Sequence, residues 1–392
     1  MIARRSLIAL SAGLVMSAGL GLPSYAEDTF KVGLILPMTG PFASTGRQVE
    51  AGAKAYIAAH GDTVAGKKIE LVVRDDAGTA DQTRRIAQEL IVNDKVNTLA
   101  GFGLTPLALS VAPVITQAKV PAVVMAAATS SITQASEYFI RTSGTLPQYS
   151  VPVARWAHEN NIKKVVTLVT DYGPGIDAET WFTKEFKAKG GEVVEAVRIP
   201  LQNPDFAPFL QRVRDAKPDA VFVFLPSGVG SLFMKQFVDR GLAEAGIKLI
   251  GTGDITDDDI LNGMGKPALG TITAHFYAAA HESPENAEFV KAFKAANNNM
   301  RPNFMAMGGY DGMHAIYAAL EATKGDADGA ALIKAMKGLA WTSPRGPISI
   351  DPQTRDIIQN IYMREVKDVN GELQNVEFAT YKDVKDPVKA GQ

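Results

Sequence analysis

Apolar strands and amphipathic helices alternate through most of this chain, and this alternation restricts the possible folds more than any other feature. Residues 30–37 and 220–225 are short, apolar segments rich in β-branched or aromatic side chains, and a stretch of helical length follows each of them. A strand that is apolar on both faces must be covered on both faces, and the intervening helices can supply that cover. The sequence therefore predicts an α/β fold of βαβ units and mostly parallel sheets.

The strand–helix pattern runs twice, and a chain of 392 residues is long enough for more than one domain. An extended link at residues 139–148 separates the two runs, with Gly144 and Pro147 as breakers. A helix-rich segment at about 285–339 follows the second run and can complete the first sheet. The sequence thus predicts two lobes, and discontinuous lobes are compatible with it.

The first 26 residues have the pattern of an export signal. Arg4 and Arg5 form a positive start, an apolar run covers 7–22, and a small-residue cleavage site ends at Ala26. We expect cleavage after Ala26 and a location in the periplasm. The arginine pair leaves both the Sec and the twin-arginine export routes open.

Composition and motifs exclude several classes of function. The net charge of −2 and the dispersed basic residues argue against nucleic acid as a partner. The sequence contains no cysteine, and none of its five histidines stands in a metal-ligand spacing or follows a nucleophile-elbow serine. We therefore expect no metal, no cofactor and no enzymatic activity, although an enzyme remains the remote alternative.

Hydroxyl-bearing, aromatic and small residues follow three of the first predicted strands. These residues are Phe42, Thr45, Phe102, Thr105, Ala127 and Thr129. Ligands of open α/β sheets bind outside the carboxyl ends of the strands, where helices begin. Hydroxyls and the free N–H groups of a helix start can hold an anion without a lysine or arginine.

Each of these residues also has a purely structural interpretation. Thr45 and Gln48 match a T-x-x-Q capping box, and Thr105 precedes Pro106 as a helix N-cap would. Thr129 can cap the helical turn that follows it. Only their shared position at strand ends favours a common site.

The second run places different chemistry at its strand ends. Tyr172, Ser227 and Asp254 each follow a predicted strand. An aromatic ring, a hydroxyl and a carboxylate would then face the hydroxyl-bearing residues of the first lobe. The sequence predicts a ligand site between the two lobes.

Six segments resemble one known family, and they occur in its order along nearly the whole chain after residue 26. The segments are KVGLILPMTGPFASTG (31–46), VVRDDAG (72–78), IRTSG (140–144), TDYGPG (170–175), DAVFVF (219–224) and RGPISID (345–351). They resemble the leucine/isoleucine/valine-binding type of periplasmic binding protein, the solute receptors of branched-chain amino-acid-type ABC importers.

The resemblance implies a type I periplasmic-binding-protein fold, in which two lobes joined by three crossings close on the ligand. It implies an N-terminal lobe of 27–145 plus 276–346 and a C-terminal lobe of 146–275 plus 347–392. It also implies inner-membrane ABC importer permease subunits as partners, and we expect the receptor to be a monomer. A periplasmic ligand-sensing module that regulates a receptor or operon is the alternative.

The resemblance also assigns roles to the strand-end residues. It implies that Thr105, the backbone at Ala127 and Thr129 hold the carboxylate of the ligand, and that Tyr172 covers it. The sequence departs from the family at Thr45, where the family has an aromatic residue. It departs again at Gly253, where the family has the acid that pairs with an ammonium group.

Two ligand classes remain open on these residues. Asp254 stands one position beyond Gly253, and Ser227 lies beside Pro226, where the family has a second aromatic residue. If Asp254 reaches the site, a hydrophobic amino acid is the favoured ligand. If Asp254 does not reach the site, an aromatic or apolar carboxylate such as a benzoate is favoured. We lean towards the benzoate, because burying an unpaired ammonium group is costly. Phe42, Phe102 and Tyr172 would wall the ligand's tail.

Overall fold

The computed structural model describes residues 28–202 and 204–390, so the predicted signal peptide at 1–26 lies outside the described residues. The first lobe is built on a six-stranded sheet with the order β2-β3-β1-β4-β5-β6. Its strands are β1 Thr29–Leu36, β2 Thr63–Val64, β3 Lys67–Asp75, β4 Thr98–Gly101, β5 Ala122–Val124 and β6 Phe139–Arg141. The intervening helices are α1 Ala43–His60, α2 Ala80–Val92 and α3 Thr105–Ala118. All pairs are parallel except β2 with β3.

The second lobe is built on a nine-stranded sheet with the order β12-β13-β14-β11-β10-β9-β7-β8, and β15 pairs with β14. Its strands are β7 Lys164–Thr170, β8 Glu192–Ile199, β9 Ala220–Phe224, β10 Lys248–Thr252, β11 Ile272–His275, β12 Ala340–Ser343, β13 Gly346–Ile350, β14 Ile357–Val369 and β15 Glu372–Val384. The helices after β6 are α4 Leu146–Glu159, α5 Gly173–Ala188, α6 Ala207–Ala216, α7 Gly230–Asp239, α8 Leu261–Met264, α9 Pro284–Ala296, α10 Phe304–Ala322 and α11 Gly329–Met336. Strands β7 to β11 pair in parallel, and β12 to β15 are antiparallel.

Each sheet has one place where the chain reverses the direction in which strands are added. In the first sheet β1 lies between β3 and β4, and in the second β7 lies between β8 and β9. Loops at the carboxyl ends of such neighbouring strands diverge, and the crevice between them is the usual ligand position in this class of sheet. The topology therefore points to the loops after β1, β4, β7 and β9.

Helices α9 to α11 lie between β11 and β12 of the second sheet in sequence but pack on the first lobe. Helix α10 lies against α1, where glycines permit close backbone approach. A Cβ on Gly52 would collide with the carbonyl of Ala306, and one on Gly309 would collide with the carbonyl of Val49. The chain then enters the larger sheet again at β12.

The region between the lobes differs from the extended link that the sequence suggested. Residues 139–148 contain β6 and the start of α4, and Pro147 lies in the first turn of that helix instead of breaking it. Thr145 and Gln148 form the capping box of α4. Helix α4 and strand β15 were not predicted.

Two predicted helix starts are wrong in detail. Helix α1 begins at Ala43, so Thr45 lies inside its first turn and makes no capping box. The Gln48 side chain instead donates to Arg301 O at 2.9 Å and accepts from Asn303 N at 3.3 Å. Helix α3 begins at Thr105 itself, without a side-chain cap. Tertiary contacts therefore replace the local capping bonds that the sequence suggested for these polar groups.

No helix within residues 28–202 and 204–390 is long and apolar enough to cross a membrane.

Candidate ligand site between the lobes

A small cavity lies where the carboxyl ends of the two sheets face each other. Its lining comes from the loops after β1, β4, β5, β7, β9 and β10, together with residues from α4 and α10. Larger surface grooves exist, such as one bordered by Trp156 and Phe378, but they lie away from these strand ends. The cavity at the strand ends is the candidate site because both sheet topologies converge on it.

The structure brings most of the predicted site residues together. The predicted residues that line the cavity are Phe42, Thr45, Thr105, Ala127, Tyr172, Ser227 and Asp254. Thr129 does not line it but lies directly behind it, with its Oγ1 atom 2.7 Å from Thr105 Oγ1. Phe102 is the exception. Its fully buried ring packs edge-to-face on Phe139 in the core, so it does not wall the cavity.

Leu104, Leu146 and Met305 add apolar surface to the cavity that the predicted list did not contain. Met305 comes from the methionine-rich start of α10, where flexible, polarisable side chains fit irregular spaces. Phe42 and Leu104 pack together with Tyr172 across the two lobes. The cavity is thus lined by apolar side chains from both lobes, with polar groups contributed separately by each lobe.

The first-lobe end of the cavity is held in shape by a buried arginine. Arg141 is fully buried and donates to Ala127 O and Thr129 O, each at 2.6 Å. Its charge is paired with Asp356 of the second lobe, with an Nε–Oδ1 distance of 2.9 Å. A buried ion pair of this kind is tolerated because additional hydrogen bonds satisfy both partners. The segment 127–129 is therefore fixed with the carbonyl groups of Ala127 and Thr129 turned towards Arg141.

This arrangement decides which groups can act as donors. The N–H of Ala127 donates to Phe102 O at 3.0 Å, so the expected backbone donor at Ala127 is already occupied. Within residues 28–202 and 204–390, no acceptor is found for the N–H groups of Thr105 and Thr129. One threonine hydroxyl donates to the other, so these two N–H groups and the one remaining hydroxyl hydrogen can hold an anion at the start of α3.

The second-lobe end of the cavity carries an acid and an aromatic ring. Asp254 is 7% exposed, and its Oδ2 atom accepts from Thr252 Oγ1 at 2.8 Å. Burial raises the pKa of Asp254 to about 6, and the nearby Arg364 guanidinium opposes that rise. The Tyr172 ring stacks near Phe224, and burial, followed by the charge of Asp254, raises the Tyr172 pKa. Asp254 thus reaches the cavity as an acceptor.

Arg364 fills the space beside Gly253, the position to which the sequence resemblance assigns the family's ammonium-pairing acid. It is fully buried, and a Cβ on Gly253 would collide with its Nη2 atom. Its guanidinium donates to Tyr277 O at 2.5 Å and to Thr273 Oγ1 at 3.3 Å from Nε. Arg364 was not identified from the sequence as a site residue. The only sequence signal was the glycine at position 253, which leaves room for another side chain beside it.

Direct contacts between the lobes show that they are closed. Ser44 Oγ donates to Asp259 Oδ2 at 2.8 Å, and Ser130 N donates to Asp177 Oδ2 at 2.9 Å. Gly173 lies so close to the first lobe that a Cβ there would be 2.7 Å from Thr129 Oγ1. Two hinged α/β lobes closed over a buried cavity define a ligand-capturing protein of the binding-protein class.

Comparison with known proteins identifies the family. Residues 29–372 match the family described as periplasmic binding protein. The Leu/Ile/Val-binding protein homolog 6 of Brucella melitensis biotype 1 is 49% identical over 385 residues, which cover 97% of this chain and 98% of that protein. The chain belongs to the periplasmic binding protein family.

Solved structures agree with this assignment. The solute-binding protein of an ABC transporter from Rhodopseudomonas palustris BisB5, in complex with 3,4-dihydroxybenzoic acid, is 62% identical with a TM-score of 0.91, and the match covers 93% of this chain and all of that one. A second solute-binding protein, from R. palustris HaA2 in complex with p-hydroxybenzoic acid, is 45% identical with a TM-score of 0.90 over the same shares of the two chains.

Several sequence predictions are confirmed by these findings. The fold is that of type I periplasmic binding proteins, and the protein is a solute-binding protein of an ABC transporter. Proteins of this family are not enzymes, and they are exported to the periplasm.

Proposed function

We propose that this protein captures an aromatic carboxylate without an ammonium group and delivers it to inner-membrane permease subunits. The carboxylate would accept hydrogen bonds from the N–H groups of Thr105 and Thr129 and from the one hydroxyl of this pair that does not donate to the other. The rings of Phe42 and Tyr172 would enclose the aromatic part. Hydroxybenzoates in the solved structures of relatives at 62% and 45% identity support this choice.

The observation that carries the proposal is that, in the part of the chain that the structure describes, the carbonyl oxygens of 127–129 already accept hydrogen bonds. An amino acid carries its ammonium group on the carbon next to its carboxylate, and the ammonium needs up to three acceptors. Ala127 O already accepts from Arg141 Nη1 at 2.6 Å and from Ser143 Oγ at 3.1 Å. Thr129 O accepts from Arg141, and Ala128 O accepts from Leu146 N at 3.1 Å. An ammonium group buried here would lack partners on the first lobe, which is costly.

A hydrophobic amino acid is the second candidate, because Asp254 does reach the cavity. The curated relative at 49% identity also carries a Leu/Ile/Val-binding name. Against it stands the Arg364 guanidinium, which fills the space beside Gly253 and adds a positive charge beside Asp254. We therefore place the amino acid second.

A calorimetric titration of the mature protein with benzoate, 4-hydroxybenzoate, leucine and valine tests the choice. We expect the aromatic acids to bind and the amino acids not to. In a parallel melting experiment, a ligand at a hundredfold excess over its Kd should stabilise the protein by about 2.7 kcal/mol. Binding of leucine or valine without binding of either aromatic acid would reverse the proposal.

Variants of α3 then test the carboxylate contacts. Thr105→Ala removes a hydroxyl at the cavity and should weaken every aromatic acid by about tenfold, since a hydrogen bond to a charged group is lost. Ser110→Ala removes a hydroxyl from the same helix that donates only to Leu107 O, and serves as the matched control. Equal affinities of the two variants would contradict the assignment of Thr105.

The proposal extends to processing, assembly and lobe boundaries. We propose that the mature chain begins at Glu27, that it is a monomer, and that the lobes comprise 27–145 with 276–346 and 146–275 with 347–392. The packing of α10 on α1 supports the inclusion of the late helices in the first lobe. Mass spectrometry of the exported protein and light scattering of the purified protein test the first two points.

A further inference from the structure

We infer that Asp254 and Ser227 form a subsite that recognises hydroxyl groups on the ring of the ligand. The ligand class would then be benzoates that carry one or two ring hydroxyls, with unsubstituted benzoate as a weaker ligand. This inference rests on the proposed function, because it assumes that the carboxylate is held by the first lobe. It assigns the opposite end of the same cavity.

The two residues belong to the second lobe, whereas the anion donors belong to the first. Ser227 follows β9 and Asp254 follows β10, two neighbouring parallel strands whose carboxyl ends meet at one edge of the sheet. Both residues line the cavity, and Asp254 lies in the short 3-10 turn Gly253–Thr256. A ligand held by its carboxylate at α3 would direct its far end towards them.

Ser227 places a buried hydroxyl at this position. The residue is 4% exposed. Burial raises the pKa of the Asp257 carboxyl, and the interaction of Ser227 with that carboxyl opposes the rise. A serine hydroxyl has one hydrogen and two acceptor lone pairs, so an interaction with Asp257 leaves acceptor capacity for a ligand. A ring hydroxyl of the ligand can therefore donate to Ser227.

Asp254 retains acceptor capacity towards the cavity. Its Oδ2 atom accepts one hydrogen bond from Thr252, and an ionised carboxylate has about four lone-pair sites. A phenolic O–H donates well to such a group, because hydrogen bonds to a charged acceptor are short and strong. A second carboxylate on the ligand would instead be repelled by Asp254, so the far end of the ligand must be a neutral donor.

Nearby Arg364 makes a neutral donor a better match than a cation. Burial raises the pKa of Asp254, and the Arg364 guanidinium is close enough to that acid to oppose the rise. A ligand ammonium would be a second positive charge beside it, and charges in a buried site interact strongly. A hydroxyl group makes the hydrogen bond without adding charge.

A ligand series on the unmodified protein provides the first test. Kd values of benzoate, 4-fluorobenzoate, 3-hydroxybenzoate, 4-hydroxybenzoate and 3,4-dihydroxybenzoate would be measured by calorimetry. Fluorine fills space at the same ring position but cannot donate. We expect the better monohydroxybenzoate to bind about 10- to 100-fold more tightly than 4-fluorobenzoate. Equal affinities of the two would overturn the inference, whether or not any variant folds.

Variants identify the residues responsible. Asp254→Asn should reduce the affinity ratio of 4-hydroxybenzoate to 4-fluorobenzoate by about tenfold or more, and Ser227→Ala should reduce the ratio of 3,4-dihydroxybenzoate to 4-hydroxybenzoate by several-fold. Glu244→Gln, an exposed acid-to-amide change on the same lobe, is the matched control and should leave both ratios as they are. Unchanged ratios in Asp254→Asn and Ser227→Ala would overturn the assignment of these residues.

The failure of the proposed function gives a different pattern. If leucine binds and every benzoate fails to bind, both proposals are wrong. If all benzoates bind with one affinity, the aromatic-acid function stands and only the hydroxyl subsite is rejected.

Discussion

Asp254→Asn should stabilise the ligand-free protein at neutral and alkaline pH. Burial raises the pKa of Asp254 from 3.8 to about 6, so the folded state favours the protonated acid. A raised pKa means that this carboxyl destabilises the fold once it ionises. The penalty is absent below about pH 4, grows as the pH rises through about 6, and is complete above it.

The size of the effect follows from the shift. A rise of about 2 pKa units corresponds to about 3 kcal/mol at 1.36 kcal/mol per unit. Asparagine is close in shape to aspartate and its amide oxygen can still accept from Thr252, so most of that penalty should be removed. For a chain of this size, about 3 kcal/mol corresponds to a rise of roughly 4 °C in Tm.

Thermal unfolding of ligand-free protein at about pH 8 and about pH 4.5 provides the measurement. We expect a higher Tm for Asp254→Asn at the higher pH and a much smaller difference at the lower pH. Glu244→Gln removes an exposed negative charge and should change neither value by more than a fraction of that shift. Equal shifts of Asp254→Asn at both pH values, or a lower Tm at pH 8, would refute the reasoning. A stabilised variant that has lost hydroxybenzoate preference would show that the acid is retained for binding.

Three further predictions follow from the same contacts. Gly173→Ala places a Cβ 2.7 Å from Thr129 Oγ1 only when the lobes are closed, so calorimetry should show about tenfold weaker ligand binding while the ligand-free Tm stays near that of the wild type. Gly253→Ala collides with the buried Arg364, and urea unfolding should show a loss of about 1–3 kcal/mol whether or not ligand is present. The preference for 4-hydroxybenzoate over 4-fluorobenzoate should fall as the pH drops below about 6, because protonated Asp254 is a weaker acceptor; a preference that is constant from pH 5 to pH 8 would contradict this.

Much of the candidate site was visible in the sequence because its position depends on strand ends. Apolar runs of strand length and amphipathic helices with a 3.6-residue period can be recognised in short windows, and the carboxyl ends of parallel strands meet at one edge of the sheet. Thr105, Tyr172 and Asp254 were selected in this way, and all three line one cavity.

Side chains that act over long distances in sequence could not be assigned in this way. Phe102 follows a strand end like the others, yet its ring turns into the core against Phe139. Gln48 matches a local capping box but bonds to backbone groups more than 250 positions away, at Arg301 and Asn303. A local pattern states which bonds a side chain can make, and only the packed structure decides which of them it makes.

The sequence by itself determined the α/β class, the two lobes and the edge of each sheet where a ligand would lie, because these follow from hydrophobic periodicity and from the chain order of strands. The tertiary structure alone decided how the two ends of the cavity differ. Arg141 occupies the carbonyl oxygens of Ala127 and Thr129, and Arg364 fills the space beside Gly253. Both arginines are fully buried and paired with groups from distant parts of the chain, so their effect on ligand chemistry depends on three-dimensional proximity that no local pattern contains.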